Sequence, residues 1–298
     1  MPLAAMQGVL AHALRHGYAV GYFESWDLYS LEGALEAAEA TRSPAIIGFG
    51  GAVTNPAWLE QNGIEALASL SICLAQRATV PTAVIFNEAQ TFEQAIRGLK
   101  AGCNALMVDS SNLPPAQHQE VTARLATAAH AVGVAVEANW AISPMPRIPR
   151  IMQPPTDPAD AAAFVAATGI DALAVAIGNV HLLAQGEATV DLDLLARIHA
   201  ATPVPLVIHG GTGFPRAAIR DAIRHGVAKF NIGTMLKQAF FDGVRDAANQ
   251  PATPGSTIHD RIGSRDSADI QLQGKERMKS KILELIERYG SAGMADRW

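Results

Sequence analysis

Short apolar runs alternate along the chain with longer Ala- and Leu-rich segments whose charges recur at helical spacing, the alternation expected of βα units. Eight such units can be counted. Strands are predicted at Ala19–Phe23, Ala45–Gly48, Thr82–Phe86, Ala105–Val108, Val134–Ala138, Ala172–Ile177, Leu206–Ile208 and Lys229–Ile232. Helices are predicted at Leu28–Thr41, Trp58–Arg77, Thr91–Lys100, Ala116–Val132, Ala159–Thr168, Leu192–Ala200, Ala217–His225 and Thr234–Ala247.

Terminal signals agree with this division. Thr91 with Gln94 makes a capping box, and Asp157 stands as a cap before Pro158 at a first helical position. Gly102, Gly133, Gly169 and Gly226 each follow a helix, where a left-handed residue is wanted. Eight repeats without a break in composition favour a single α/β domain, residues 1–298, folded as a (β/α)8 TIM barrel. Residues 251–298 read as a polar linker and an amphipathic helix around Lys275–Tyr289, an appendage packed on the barrel or on a partner subunit. One stretch breaks the rhythm: residues 139–156 carry five prolines and two arginines, too long and too proline-rich for a minimal connection. It is either a lid over the barrel mouth or a surface loop without function.

Composition narrows the function classes. A chain of 298 residues, 49% hydrophobic, can bury a large core. With Lys+Arg 23 against Asp+Glu 28 and no basic stripe, a nucleic-acid partner is not expected. The stretch from Met1 to Met6 lacks the basic start and apolar run of an export signal, and no segment reaches the length of a membrane span. Two cysteines, Cys73 and Cys103, have no metal-binding or disulfide spacing. A cytoplasmic protein, acting on a small molecule as a homodimer or homotetramer, is the expectation.

In a barrel the chemistry sits where strands end. Those positions carry Glu24, Asn87-Glu88, Asp109, Glu137 and Asn139, then Gly178 to His181, His209 to Gly213, and Asn231 to Thr234. Of nine histidines, only His181 and His209 stand at strand ends. Each alone could be structural; two near a carboxylate form a common divalent-metal ligand set, zinc above all. Gly210, Gly211, Thr212, Asn231, Gly233 and Thr234 resemble a phosphate cradle, in which backbone N–H groups and a helix N-terminus meet an anion. Glycine is also needed simply to turn, so the pairing of the two loops after strands seven and eight is what favours the cradle.

The sequence resembles the class II, metal-dependent ketose-bisphosphate aldolases, which include the fructose- and tagatose-bisphosphate enzymes. The resemblance is carried by Gly17-Tyr-Ala-Val20, Arg42-Ser-Pro44, Ala105 to Ser111, Val136-Glu-Ala138, Gly169 to Gly178, His209-Gly-Gly-Thr212, Asn231-Ile-Gly-Thr234 and Gly290-Ser-Ala-Gly293, in order over nearly the whole chain. It implies a catalytic zinc held by three histidines, two of which match His181 and His209. The family's Asp-His at the end of strand three is Asn87-Glu88 here, so Glu88 stands at the position of the missing ligand. Asn87 replaces the aspartate that exchanges a proton with the substrate's C4 hydroxyl; an amide cannot do so. Glu24 replaces a family asparagine, Asn139 a glutamate and Leu182 a glycine, while Asp109 and Glu137 match.

These departures together read as a changed substrate or reaction. The expectation is an aldolase-type carbon–carbon lyase acting on a phosphorylated or carboxylated ketone through a metal-stabilised enediolate. Glu24 is the candidate replacement base, the alternative being that it solvates the rim or pairs with Arg147 or Arg150. Those two arginines would bind a carboxylate or second phosphate if their loop folds inward. Competing expectations are a non-catalytic sugar-phosphate binder and a metal-dependent isomerase, epimerase or dehydratase.

Overall fold

The computed structural model describes residues 3–140, 154–180, 186–251 and 255–298. Eight parallel strands close into a barrel in chain order. They are β1 Val20–Glu24, β2 Ala45–Gly50, β3 Thr82–Ala89, β4 Ala105–Val108, β5 Ala135–Asn139, β6 Ala172–Ala174, β7 Leu206–Ile208 and β8 Val227–Ile232. β1 pairs with β8, Tyr22 lying beside Asn231 and Phe23 beside Ile232, which closes the ring. Helices on the outside connect successive strands, the (β/α)8 TIM-barrel arrangement that the repeats predict.

Strand alternation sorts the side chains into two cores. Phe23, Ile47, Val84, Phe86, Leu106 and Val136 face outward and pack under the helices. Inside the barrel the residues are mostly small, including Ala83, Ala105, Ala135, Ala172, Ala174 and Ala228. The space they leave is filled from one end by the helix Met6–His16, whose Met6, Val9, Leu10 and Ala13 form one apolar stripe packed with this inner core. That helix was absent from the sequence expectation, and it plugs the end of the barrel remote from the chemistry.

Other differences have local causes. β3 runs past Phe86 to Ala89 and shifts register against β4 between Phe86 and Ala89, which brings Asn87 and Glu88 into the strand. β6 stops at Ala174, short of the expected Ile177. The second barrel helix starts at Pro56, capped by Asn55, and passes through a π-turn at Leu59–Gly63 before continuing as Ile64–Arg77. Thr91 caps its helix by accepting from the Gln94 N–H, but the Gln94 side chain accepts from Gln90 N–H instead of completing a capping box. Asp157 caps Pro158–Thr168 as expected, and Gly102, Gly133, Gly169 and Gly226 all take positive φ.

The C-terminal helix extends from Ile270 to Tyr289 and packs on the helices Leu28–Ala40 and Thr234–Ala248. Tyr289 stacks on Phe230 of β8 with ring centroids 4.7 Å apart, and Lys275 donates to Glu36 at 2.6 Å. Gly293 and Ala295 N–H groups then donate to the Thr41 and Arg42 carbonyls, so the tail is tied to the barrel wall. No helix among the described residues is long and apolar enough to cross a membrane.

Candidate active site

A narrow cleft opens at the C-terminal ends of the strands. Tyr22, Glu24, Val53, Asn87 and Glu88 line it from the β1–β3 side; Gly210, Thr212, Asn231, Gly233 and Thr234 line it from the β7–β8 side. Glu88 reaches this position in a left-handed backbone conformation, φ 52°, at the β3 register shift. That conformation is costly for a residue with a side chain and concentrates at functional sites.

His209, just beyond β7, is the hub. Its Nδ1 lies 3.2 Å from Glu88 Oε1 and its Nε2 lies 3.0 Å from Glu137 Oε1. Burial disfavours a charged imidazole, yet the hydrogen bonds to Glu137 and Glu88 outweigh it and push the group up to about 9. Beneath it, Glu137 of β5 accepts from Lys229 of β8 at 2.6 Å, and both side chains are completely buried inside the barrel. Burial would raise the Glu137 carboxyl; Lys229 and His209 overcome it and hold it below the usual range. For Lys229 burial wins, and its ammonium is held below its usual value. The Lys229 Nζ also sits 5.0 Å over the Tyr22 ring.

Glu24 is built into the seam between β8 and β2. A Cβ on Gly233 would lie 2.0 Å from its Oε2, and one on Gly50 would lie 2.8 Å from its Oε1, so the carboxylate fills space that only two glycines leave open. Lys237 donates to Oε1 at 3.0 Å and rests 5.6 Å over the Trp26 ring. Among the described residues the ion-pair partner of Glu24 is Lys237. Burial raises the Glu24 carboxyl, and Lys237 opposes that only in part. Around it, Tyr22 OH and Asn87 Oδ1 are buried without a hydrogen-bond partner among the described residues.

On the opposite side, Gly210 at φ 69° starts a single 3₁₀ turn, Gly211–Gly213. Thr212 Oγ1 accepts from the Met235 N–H at 3.2 Å, which docks this turn on the N-terminus of the helix Thr234–Ala248. Asn231 stands between the turn and His209, its amide nitrogen 2.8 Å from Nε2. Gly211 lies behind the cleft, against Asn231 and Ile232. Asp109 accepts the Ser111 hydroxyl at 2.6 Å, and neither it nor Glu137 lines the cleft. His181, Arg147 and Arg150 lie outside the described residues. Among the described residues no three metal-type side chains form a cluster.

Two contributors escaped the sequence reading. Lys229 opens a predicted strand, yet a lysine inside Val227-Ala-Lys-Phe-Asn-Ile232 is itself a signal, because a charge there must be buried with a partner. Lys237 lies within the predicted helix Thr234–Ala247, where nothing in its sequence neighbourhood points to Glu24.

A model of the family "Fructose-bisphosphate aldolase class-II" matches residues 4–294. The fructose-bisphosphate aldolase of Geobacillus stearothermophilus is 31% identical over 300 residues, covering 99% of each chain. YdjI of Escherichia coli K12 is 32% identical over 282 residues, 94% of each chain. The crystal structure of that aldolase superposes with a TM-score of 0.82 over 98% of this chain and 99% of its own. A putative fructose-1,6-bisphosphate aldolase from Coccidioides immitis gives 0.80 at 25% identity, over 98% of each chain. With a family model matched over residues 4–294, relatives above 30% identity along almost the whole chain and the barrel shared, the chain belongs to the class II fructose-bisphosphate aldolase family.

Proposed function

We propose that the protein is a metal-dependent carbon–carbon lyase performing aldol or retro-aldol chemistry on a phosphorylated polyhydroxy ketone. The carrying observation is the Glu88–His209 pair. Two ligand bonds of about 2.0 Å at a tetrahedral angle separate their donor atoms by about 3.3 Å, and Glu88 Oε1 lies 3.2 Å from His209 Nδ1. A metal-binding imidazole commonly passes its other nitrogen to a carboxylate that fixes its orientation; Glu137 is 3.0 Å from Nε2. Glu88 and His209, with His181 as the third ligand that the family pattern supplies, would hold a divalent ion, zinc first among candidates. Such an ion supplies Lewis-acid polarisation of the ketone oxygen.

The remaining steps fall to the chain's own groups. Gly210, Thr212, Gly233 and Thr234 offer backbone N–H groups, hydroxyls and a helix N-terminus to one phosphate, with the buried Asn231 amide at its edge. Asn87 orients a hydroxyl by hydrogen bonding without exchanging its proton. Glu24 takes that proton, and burial moves its carboxyl toward neutrality, where proton transfer in both directions is fastest. Lys229 and Glu137 hold His209 in place from below.

Proton exchange on dihydroxyacetone phosphate tests the reading. Zinc-loaded protein in deuterated water should exchange one hydroxymethylene proton of this ketone, read by NMR; chelation should stop the exchange and added zinc should restore it. Tight binding without exchange would favour a non-catalytic binder instead.

A further inference from the structure

Three residues that line the cleft each keep a buried polar atom without a hydrogen-bond partner among the described residues: Tyr22 OH, Asn87 Oδ1 and Asn231 Oδ1. Leaving such atoms unpaired is costly, so a group of them around one opening marks where a ligand's own polar atoms belong. Tyr22 differs from the other two because it has a proton to give, whereas the Asn87 and Asn231 oxygens only accept. Its ring and its hydroxyl also do different things. The side chain is 1% exposed and packs in the inner core, with Lys229 Nζ 5.0 Å from the ring centroid. The hydroxyl, by contrast, holds nothing in the fold. Tyr22 lies beside Asn231 across the β1–β8 pair, and Asn231 in turn meets His209, so the phenol shares a strand level with the Glu88–His209 pair. Burial pushes this phenol well above its usual value, and Glu24, Glu88 and Glu137 add to the effect, so it stands at the cleft with its proton on.

We infer that Tyr22 is a further catalytic residue, its hydroxyl donating a hydrogen bond to the ketone oxygen of the substrate. A carbonyl oxygen has no hydrogen of its own and needs a donor, while the acceptor Asn87 Oδ1 suits a substrate hydroxyl. In retro-aldol cleavage the carbon–carbon bond breaks and its electron pair becomes the second carbon–carbon bond of an enediolate. The carbonyl pair moves onto the ketone oxygen as negative charge, and the hydroxyl proton passes to Glu24 as the other fragment leaves as an aldehyde. A donor already in place at that oxygen gains strength as the charge develops, and one such donor accounts for about 10²–10³-fold in rate. The inference rests on the lyase reading above and adds to it a residue whose hydroxyl the fold itself does not use.

Tyr22→Phe keeps the ring and removes only the hydroxyl. The variant should fold, keep its zinc by elemental analysis, and unfold in urea at the wild-type midpoint or above it, since a buried hydroxyl without a partner contributes no stability. Proton exchange on dihydroxyacetone phosphate should slow by about 10²–10³-fold, with the KM for the ketone changed by less than about threefold. Calorimetry adds a reading independent of turnover. Phosphoglycolohydroxamate, which mimics the charged enediolate, should bind the zinc-loaded variant about tenfold or more weakly than it binds wild type, while inorganic phosphate binds both alike. Exchange within about threefold of wild type in the folded variant overturns the inference and leaves the lyase reading intact. So does a lower urea midpoint, or a variant that does not fold, because either makes the hydroxyl structural. Unmodified zinc-loaded protein that shows no exchange fails the lyase reading itself, and the inference falls with it.

Discussion

Replacing Lys229 by methionine should cost the protein a large share of its stability, and the size follows from the pair it breaks. Lys229 Nζ and Glu137 Oε2 are 2.6 Å apart with neither side chain exposed. Methionine keeps most of the stem beside the Tyr22 ring but removes the charge, leaving the Glu137 carboxylate buried with His209 as its remaining cationic partner. Breaking a buried pair from one side costs about 3–5 kcal/mol, because the survivor keeps its desolvation penalty and loses its compensation. Removing both charges should cost much less, so Lys229→Met with Glu137→Gln should recover at least half of the loss. Urea unfolding of metal-free protein at pH 7, followed by far-UV circular dichroism, measures Lys229→Met, Glu137→Gln and the double variant on one scale. A second readout separates positioning from stability: zinc affinity in Lys229→Met should fall by about 10–100-fold, the usual cost of disturbing groups that orient a ligand. A stability loss under about 1 kcal/mol for Lys229→Met, or a double variant as unstable as the sum of the singles, would refute the reasoning.

Three further outcomes are expected. Glu24→Gln should lower lyase turnover by about 10²–10⁴-fold while zinc still binds, and the wild-type rate should rise with pH through an apparent pKa above the usual glutamate value of 4.5, since burial raises this carboxyl; a limb at or below 4.5 would exclude it as the base. Gly233→Ala should displace the Glu24 carboxylate, because the new Cβ would stand 2.0 Å from Oε2; a turnover loss of tenfold or more is expected by the same proton-transfer argument, and wild-type kinetics would contradict the close approach. In metal-free protein His209 sits at about 9 when folded against 6.5 when unfolded, so its stabilisation is complete below pH 6.5 and is lost as pH rises through 9, a loss on the order of 3 kcal/mol; urea midpoints that stay flat or climb over that window in chelator-treated protein would contradict it.

The barrel was legible because each barrel strand and each helix that connects two of them announces itself within a few residues. Alternation, caps and the glycines after helices are local signals, and Asp157 and Gly169 do in the structure what their neighbours imply. What escaped was nonlocal. The helix Met6–His16 makes sense only once six alanines on five strands are seen to leave a void for it. The Lys229–Glu137 pair joins residues 92 positions apart, and nothing near either one names the other. Lys237 turns inward to Glu24 because Gly50 and Gly233 leave a socket there, a fact about three strands at once. The strand-end residues Glu24, Asn87, Glu88, His209 and Asn231 were readable as a group, since a barrel brings strand ends together whatever lies between them. Asp109 was grouped with them by the same logic, and its side chain turns instead to Ser111.

The central claim is that Glu88 replaces a histidine as a metal ligand in a working lyase site. A crystal structure of zinc-loaded protein, with diffraction collected on both sides of the zinc absorption edge, tests it most directly. The account predicts a single anomalous peak per chain at about 2.0–2.2 Å from a Glu88 carboxylate oxygen and from His209 Nδ1, with Glu137 still on His209 Nε2. A peak bound by His209 while Glu88 points away, or no peak near His209 at full zinc loading, would contradict it.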